Sequence, residues 1–243
     1  MENHLCEKKE IFASLCGTQS ELRPTGMLQL IQDIATEHAY RLKVDTPSLL
    51  EKDGAFWIIT RARVNIFEKL YQSDVADAMT WPRPPEGFRC NRHTRFSKDG
   101  RIAFASVSEW VLVDAQTHKL RRADTVSYPF EMEHYPELAV EEPFSRLRDD
   151  LTPEELFEIR KVRSSFIDLA HHVNNTVYMT LMMDTFSVEE IENMFLKGFE
   201  IVYSREALEG ETISIYRRRT EDGWFFSIRK EDGTTAILCK LYL

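Results

Sequence analysis

The stretch TISIYRRRTEDGWFFSIRKEDGTTAILCKLY, Thr212 to Tyr242, contains three runs with strand-like alternation: Thr212 to Arg219, Trp224 to Lys230 and Thr235 to Tyr242. Between them stand Glu221-Asp222-Gly223 and Glu231-Asp232-Gly233. Asp-Gly between alternating apolar runs is the strongest short-range hairpin signal, so this end of the chain predicts an antiparallel meander. Working upstream, Gly198 to Arg205 adds a fourth strand, Glu209-Gly210 a further turn, and the residues from about Asn175 to Phe186 a helix. A short extended run, Ile159 to Arg163, precedes that helix, although Glu154 to Lys161 also reads as a short helix.

The first half runs in the same order. Glu10 to Leu15 is a short extended run, and from Arg23 a helix begins with Pro24 at its start. Met27, Leu30, Ile31, Ile34, Ala35, His38 and Leu42 then recur at three- and four-residue intervals, which gives that helix one apolar face. Strand-like runs follow at Phe56 to Phe67, Asp74 to Arg83, Phe88 to Phe96 and Ile102 to Asp114, with Lys98-Asp99-Gly100 as a turn. Two copies of strand, helix and four strands predict an α+β duplication. Each half is expected to be a central helix wrapped by a curved antiparallel sheet, because the helix stripe and the sheet face must bury each other. Ser127 to Asp150, rich in Pro and Glu, reads as an exposed connector. The expected division is an N-terminal unit, 1–126, a connector, 127–152, and a C-terminal unit, 153–243.

Composition narrows the function. The chain is 43% apolar and 29% charged, near the average for globular proteins, and its net charge of −9 has the wrong sign for a protein that binds phosphate backbones. Nucleic acid is therefore not an expected partner. Cys6, Cys16, Cys90 and Cys239 lie far apart with no CxxC pair, so neither a metal site nor a disulfide framework is predicted. The first residues lack the apolar core of a signal peptide, and no run approaches the roughly 18 apolar residues of a membrane span. A cytoplasmic protein with no membrane partner is the expectation.

Reactive side chains are densest in Asp168-Leu169-Ala170-His171-His172-Val173-Asn174-Asn175, directly before the second helix. A helix N-terminus offers unpaired N–H groups and partial positive charge, so a carbonyl oxygen aimed at Val173 to Thr176 would be polarised. His172 can orient or deprotonate a water near neutral pH, and Asp168 can accept a hydrogen bond from an imidazole or an amide. Asn174 or Asn175 is expected to cap the helix. The residues alone fit a hydrolase, and they also fit a turn with two exposed imidazoles.

His172-Val173-Asn174-Asn175 followed by Tyr178, with Asp168 four residues before the His, resembles the Asp-x-Asn-x-His-Val-Asn-Asn-x-x-Tyr motif of the acyl-acyl carrier protein thioesterases. Leu22-Arg23-Pro24, Ala35 to Ala39, Trp57 to Arg61, Thr80-Trp81-Pro82, Ser108 to Asp114 and Tyr203 to Glu206 are similar to segments of that family in the same order. The resemblance implies a tandem double hotdog fold, with the thioester at the C-terminal helix and the acyl chain in the N-terminal hotdog. It implies hydrolysis of fatty acyl-acyl carrier protein to free fatty acid. The carrier would be a transient partner that presents its substrate on a phosphopantetheine arm.

By position in the motif, Asp168, His172 and Glu206 are the implied catalytic residues. Asn174 and Asn175 are expected to touch substrate, and Met27, Leu30, Ile34 and Trp57 to line the acyl pocket. A thioester is already reactive, so no metal and no cofactor is expected. Either Glu206 or His172 would take a proton from water, and Asp168 as a nucleophile is the other route. Where the motif has Asn, this chain has Ala170, which leaves open a hotdog protein that binds acyl thioesters without turnover, and an acyl-CoA thioesterase is a further alternative because coenzyme A carries the same phosphopantetheine arm. Arg217-Arg218-Arg219 and Arg160, Lys161 and Arg163 are candidates for a basic patch facing the acidic carrier. Glu37 and His38 look like a second reactive pair, but the first half has no His-Val-Asn-Asn cluster, so a packing or cavity-lining role is expected for them. Sheet edges in hotdog folds often pair between subunits, which leaves a homodimer open.

Overall fold

The chain begins with strand β1 (Leu5–Glu10), helix α1 (Pro24–Arg41) and helix α2 (Thr46–Asp53). Strands β2 (Ala55–Ile66), β3 (Val75–Pro82), β4 (Arg89–Lys98), β5 (Arg101–Asp114) and the short β6 (Leu120–Arg121) complete the first half. The second half contains β7 (Leu156–Lys161), α3 (Asn175–Met183), α4 (Val188–Glu192), β8 (Gly198–Tyr203), β9 (Thr212–Thr220), β10 (Gly223–Lys230) and β11 (Thr235–Tyr242). This is a computed structural model, and it describes residues 3–129, 131 and 133–243. Residues 1 and 2 of the expected N-terminal unit and residues 130 and 132 of the expected connector lie outside the described residues.

The two expected helices and eight meander strands are present, as the periodicity and turns predicted. Tertiary pairing adds what the local pattern does not carry. The two meanders join edge to edge into one sheet with strand order β1-β3-β4-β5-β2-β8-β11-β10-β9-β7, and β6 pairs with β5. The seam is the antiparallel β2–β8 pair, from Arg61 opposite Val202 to Asn65 opposite Gly198. Gly198 is required there, since a Cβ would stand 2.5 Å from the Val64 carbonyl oxygen. Helix α1 packs against α3, with Thr25 Oγ1 3.1 Å from Thr180 Oγ1. One core runs through both halves, including Met27, Ile34, Phe96 and Phe104 from the first and Tyr178, Phe199 and Phe226 from the second. This is the double hotdog arrangement: two helices held by one continuous antiparallel sheet.

Three local differences have physical causes. Helix α2 is an addition to the expected order. Its start and stop signals are Asp45 at the N-cap, Pro47 in the first turn and Gly54 at φ +61°, and they enclose too few residues for periodicity to register. Leu156 to Lys161 is strand β7 and not a helix, because it pairs with β9 at the sheet edge. The connector, read as exposed, is partly strapped along the sheet. Val140 is buried against Ala105 and Val107, Trp81 Nε1 donates to Glu137 O at 2.9 Å, and Asp149 accepts from Ser227, Arg229 and Thr235. Among the described residues no helix is long and apolar enough to cross a membrane.

Candidate active site

The loop from Asp168 to Asn174 is held from both ends. Its own backbone closes it, Asp168 N–H to His172 O and His171 N–H to Asp168 O, both at 3.0 Å, and His171 takes φ +63° to make the turn. The Asp168 carboxylate is used internally: Oδ1 accepts the Ala170 N–H at 2.8 Å and Oδ2 accepts from Asn174 Nδ2 at 3.3 Å. Asn174 is the N-cap of α3, with Oδ1 accepting from Thr176 N at 2.9 Å and from its hydroxyl at 2.7 Å. Asn174 therefore couples the Asp168–Asn174 loop to the helix start, and Asp168 acts as the loop's internal anchor.

Glu206, thirty-four positions beyond His172, arrives by tertiary structure. Val173 N–H donates to Ala207 O at 2.9 Å, and Ala207 N–H donates to Tyr178 Oη at 3.1 Å. Burial pushes the Tyr178 phenol up to about 12, so it stays neutral and its oxygen is free to accept. Tyr178, which the motif marks without explaining, thus fixes the segment that bears Glu206. His172 then stands between two carboxylates, with Nδ1 3.9 Å from Asp168 Oδ1 and Nε2 4.0 Å from Glu206 Oε2. Both separations exceed hydrogen-bond length. A water 2.8 Å from both His172 Nε2 and Glu206 Oε2 would subtend an angle of about 90°, which is acceptable for two hydrogen bonds.

The N–H groups at the helix start are mostly engaged. Val173 donates to Ala207, Asn174 to Phe166, and Thr176 to the Asn174 side chain. Among the described residues the Asn175 N–H and its side-chain amide have no hydrogen-bond partner. Of the four donors from Val173 to Thr176, Asn175 offers the one left free for a carbonyl oxygen.

A cavity of about 550 Å³ lies in the N-terminal half and reaches the loop before α3 at Leu169, whose side chain is fully exposed. Trp57 lines it, as does the start of α2, a wall that sequence periodicity missed. Met27, Leu30 and Ile34 belong to the common core and not to the cavity wall, because they lie on the α1 stripe that faces the sheet and α3. The cavity is bordered by the neighbouring α1 positions Asp33, Ala35, Thr36 and Ala39. His38 is buried, with Nδ1 3.0 Å from Arg92 Nη1.

Several of the arginines expected to form a docking patch are occupied within the fold. Arg160 bonds Glu158 and Asp184, Arg218 pairs with Asp150 and Glu155, and Arg217 lies over the rings of Phe157, Phe186 and Trp224. Lys161 and Arg163 remain exposed.

Two family models match the chain: the acyl-ACP thioesterase N-terminal domain over residues 7–127 and the acyl-ACP thioesterase C-terminal domain over residues 151–239. The chain is similar to the chloroplastic oleoyl-acyl carrier protein thioesterase 2 of Arabidopsis thaliana, at 26% identity over 201 residues, which is 76% of this chain and 54% of that relative. It thus spans about half the length of the curated relatives it matches. Among solved structures, an acyl-ACP thioesterase from Bacteroides thetaiotaomicron superposes with a TM-score of 0.89 at 19% identity, over 99% of this chain and 97% of that one. The 12:0-ACP thioesterase from Umbellularia californica superposes with a TM-score of 0.85 at 15% identity, over 100% and 97% of the two chains. At those identities the likenesses establish the shared double hotdog fold.

Proposed function

The chain belongs to the acyl-ACP thioesterase family, and from that membership we propose that it hydrolyses fatty acyl thioesters of acyl carrier protein, releasing the free fatty acid and the carrier's thiol. The observation that carries this reading is His172 held between Asp168 and Glu206 at the start of α3, beside a cavity in the other half.

In the proposed reaction the acyl chain lies in the cavity and the thioester carbonyl sits over the N-terminus of α3. A water held by His172 Nε2 and Glu206 Oε2 attacks the carbonyl carbon, and Glu206 takes its proton. Apo distances of about 4 Å are compatible with this role, since catalytic hydrogen bonds often tighten only when substrate binds. Negative charge that gathers on the carbonyl oxygen meets the free N–H and side-chain amide of Asn175, donors that stand in for the amide absent at Ala170. The C–S bond then breaks, the proton passes to the departing sulfur, and the carboxylic acid leaves. Asp168, through its bonds to Ala170 and Asn174, keeps the loop that bears His172 in place.

Coenzyme A thioesters are a second substrate class with the same pantetheine arm. Free-thiol release from acyl-ACP and acyl-CoA panels, compared between wild type and the His172→Ala and Glu206→Ala variants, tests the reading. Turnover that both substitutions abolish supports it, and the panel names the carrier. A folded protein that binds acyl thioesters and turns none over would replace it with an acyl-binding role. A cytoplasmic location and a homodimer remain part of the same proposal, the latter testable by light scattering.

A further inference from the structure

The interior of the N-terminal half is polar at one end. On the face of β4 and β5 that carries the stacked pair Phe96 and Phe104, the next positions inward along the register are Thr94 opposite Ser106 and Arg92 opposite Ser108. Arg92 is the one that carries charge. Its Nη1 reaches His38 Nδ1 at 3.0 Å and Thr80 Oγ1 at 3.3 Å, both neutral acceptors. Among the described residues no carboxylate pairs with it, whereas Arg61, Arg63 and Arg229, also on this sheet, each hold one. Burial pulls Arg92 down to about 10, still well above neutral, so it remains a cation.

Arg92 also lines the cavity that reaches Leu169, among walls that include Trp57, Trp110 and Tyr128. Asp33, Glu37 and Asp45 border the same cavity, but Glu37 is bonded by Arg41 and Asp45 by Ser48, and none of the three pairs with Arg92. A half-buried cation given only neutral partners lacks a compensating charge, which a ligand acceptor would supply. A methyl-ended chain pressed against Arg92 would strip its remaining water and return nothing. An oxygen acceptor beside Arg92 would form a charge-assisted hydrogen bond.

We propose that this cavity selects acyl chains that carry an oxygen acceptor, a hydroxyl or a carboxylate, on the distal part that reaches Arg92. The inference rests on the reading of the protein as an acyl thioesterase, and it names the substrate class of that site.

The test compares methyl-ended, ω-hydroxy and ω-carboxy acyl chains of matched lengths on the wild-type protein. Turnover is read with acyl-ACP, and binding with non-hydrolysable acyl-pantetheine thioethers. At some chain length the oxygenated chain should exceed its methyl-ended match by about tenfold or more in kcat/KM and in affinity. Arg92→Met should erase that preference and Arg92→Lys keep part of it, with thermal unfolding run on both. If Arg92→Met does not fold, the wild-type panel and Arg92→Lys decide. The hydroxy and carboxy arms separate the two acceptor chemistries. Methyl-ended chains that bind and turn over as well as oxygenated ones at every length would overturn the proposal while leaving the thioesterase reading standing. A binding preference for oxygenated thioethers without turnover of any thioester would uphold the cavity's selectivity and overturn the hydrolase.

Discussion

Arg63 of β2 and Glu200 of β8 face each other in register across the seam that joins the two halves, with Arg63 Nε and Nη2 donating to Glu200 Oε2 at 3.0 and 2.6 Å. Glu200 is fully buried, and its Oε1 accepts the Ser145 N–H at 2.8 Å. Arg63 Nη1 donates to the Pro143 carbonyl at 2.8 Å, so one ion pair ties the seam to the connector.

Removal of either partner leaves a buried charge without compensation. Arg63→Ala or Glu200→Ala is expected to cost about 3–5 kcal/mol in chemical denaturation, and the Arg63→Met/Glu200→Leu double variant less than either single one. A loss below about 1 kcal/mol for the single variants would mean that water reaches the pair.

Tyr178 should matter for turnover without touching substrate. Tyr178→Phe removes the acceptor of the Ala207 N–H, which leaves a buried donor unpaired and frees the segment that carries Glu206. The expected cost is about 1–3 kcal/mol in stability, with a fall in kcat of about tenfold and little change in KM. Unchanged kcat alongside the stability loss would show that Glu206 holds its place by other means.

The Asn175 donors and the Ala170 gap can be examined together. Asn175→Ala should lower kcat by about tenfold or more and leave KM near its original value, as expected for a group that acts on the developing oxyanion. Adding Ala170→Asn to that variant should recover part of the loss, since an amide would return to the loop. If Asn175→Ala has wild-type kcat, the oxyanion is held elsewhere.

Asp149 gives the connector a pH-dependent hold on the C-terminal half. Burial alone would raise its carboxyl, but hydrogen bonds from Arg229, Thr235 and Ser227 outweigh that and pull it from 3.8 down to about 2. A depressed folded-state value means that its contribution is fully present above about pH 4 and is lost as the pH falls through about 2, since the unfolded chain binds the proton first. The contribution at neutral pH is about 2 kcal/mol. Asp149→Asn should therefore lower stability at pH 7 and flatten the acid limb between pH 4 and 2. Parallel acid limbs in the two proteins would show that Asp149 is ordinary in the fold.

Much of the architecture was legible in the amino-acid order because its signals are local. Pro24 and the Met27-to-Leu42 stripe specify α1, and the turn chemistry before Trp224 and Thr235 specifies two hairpins, with each signal acting within a few residues. One detail changes: Gly223 is not in the turn but opens β10, where a Cβ would stand 1.8 Å from the Leu241 carbonyl oxygen. The Asp168-to-Asn175 cluster was legible for the same reason, since a capped helix start after a tight loop is a short-range object.

The acyl-pocket assignment of Met27, Leu30 and Ile34 came from a rule that cannot distinguish a core stripe from a cavity wall, because both are apolar at helical spacing. Which face of α1 borders empty space depends on where α2, β4 and β5 come to rest. Amino-acid order alone was enough for the duplicated helix-and-meander plan and for the loop that carries His172. The approach of Glu206 to His172, the β2–β8 seam and the placement of Arg92 beside His38 in the cavity wall came only with the folded chain, because each depends on contacts between segments far apart in sequence, and local periodicity holds no record of which distant segment will be the neighbour.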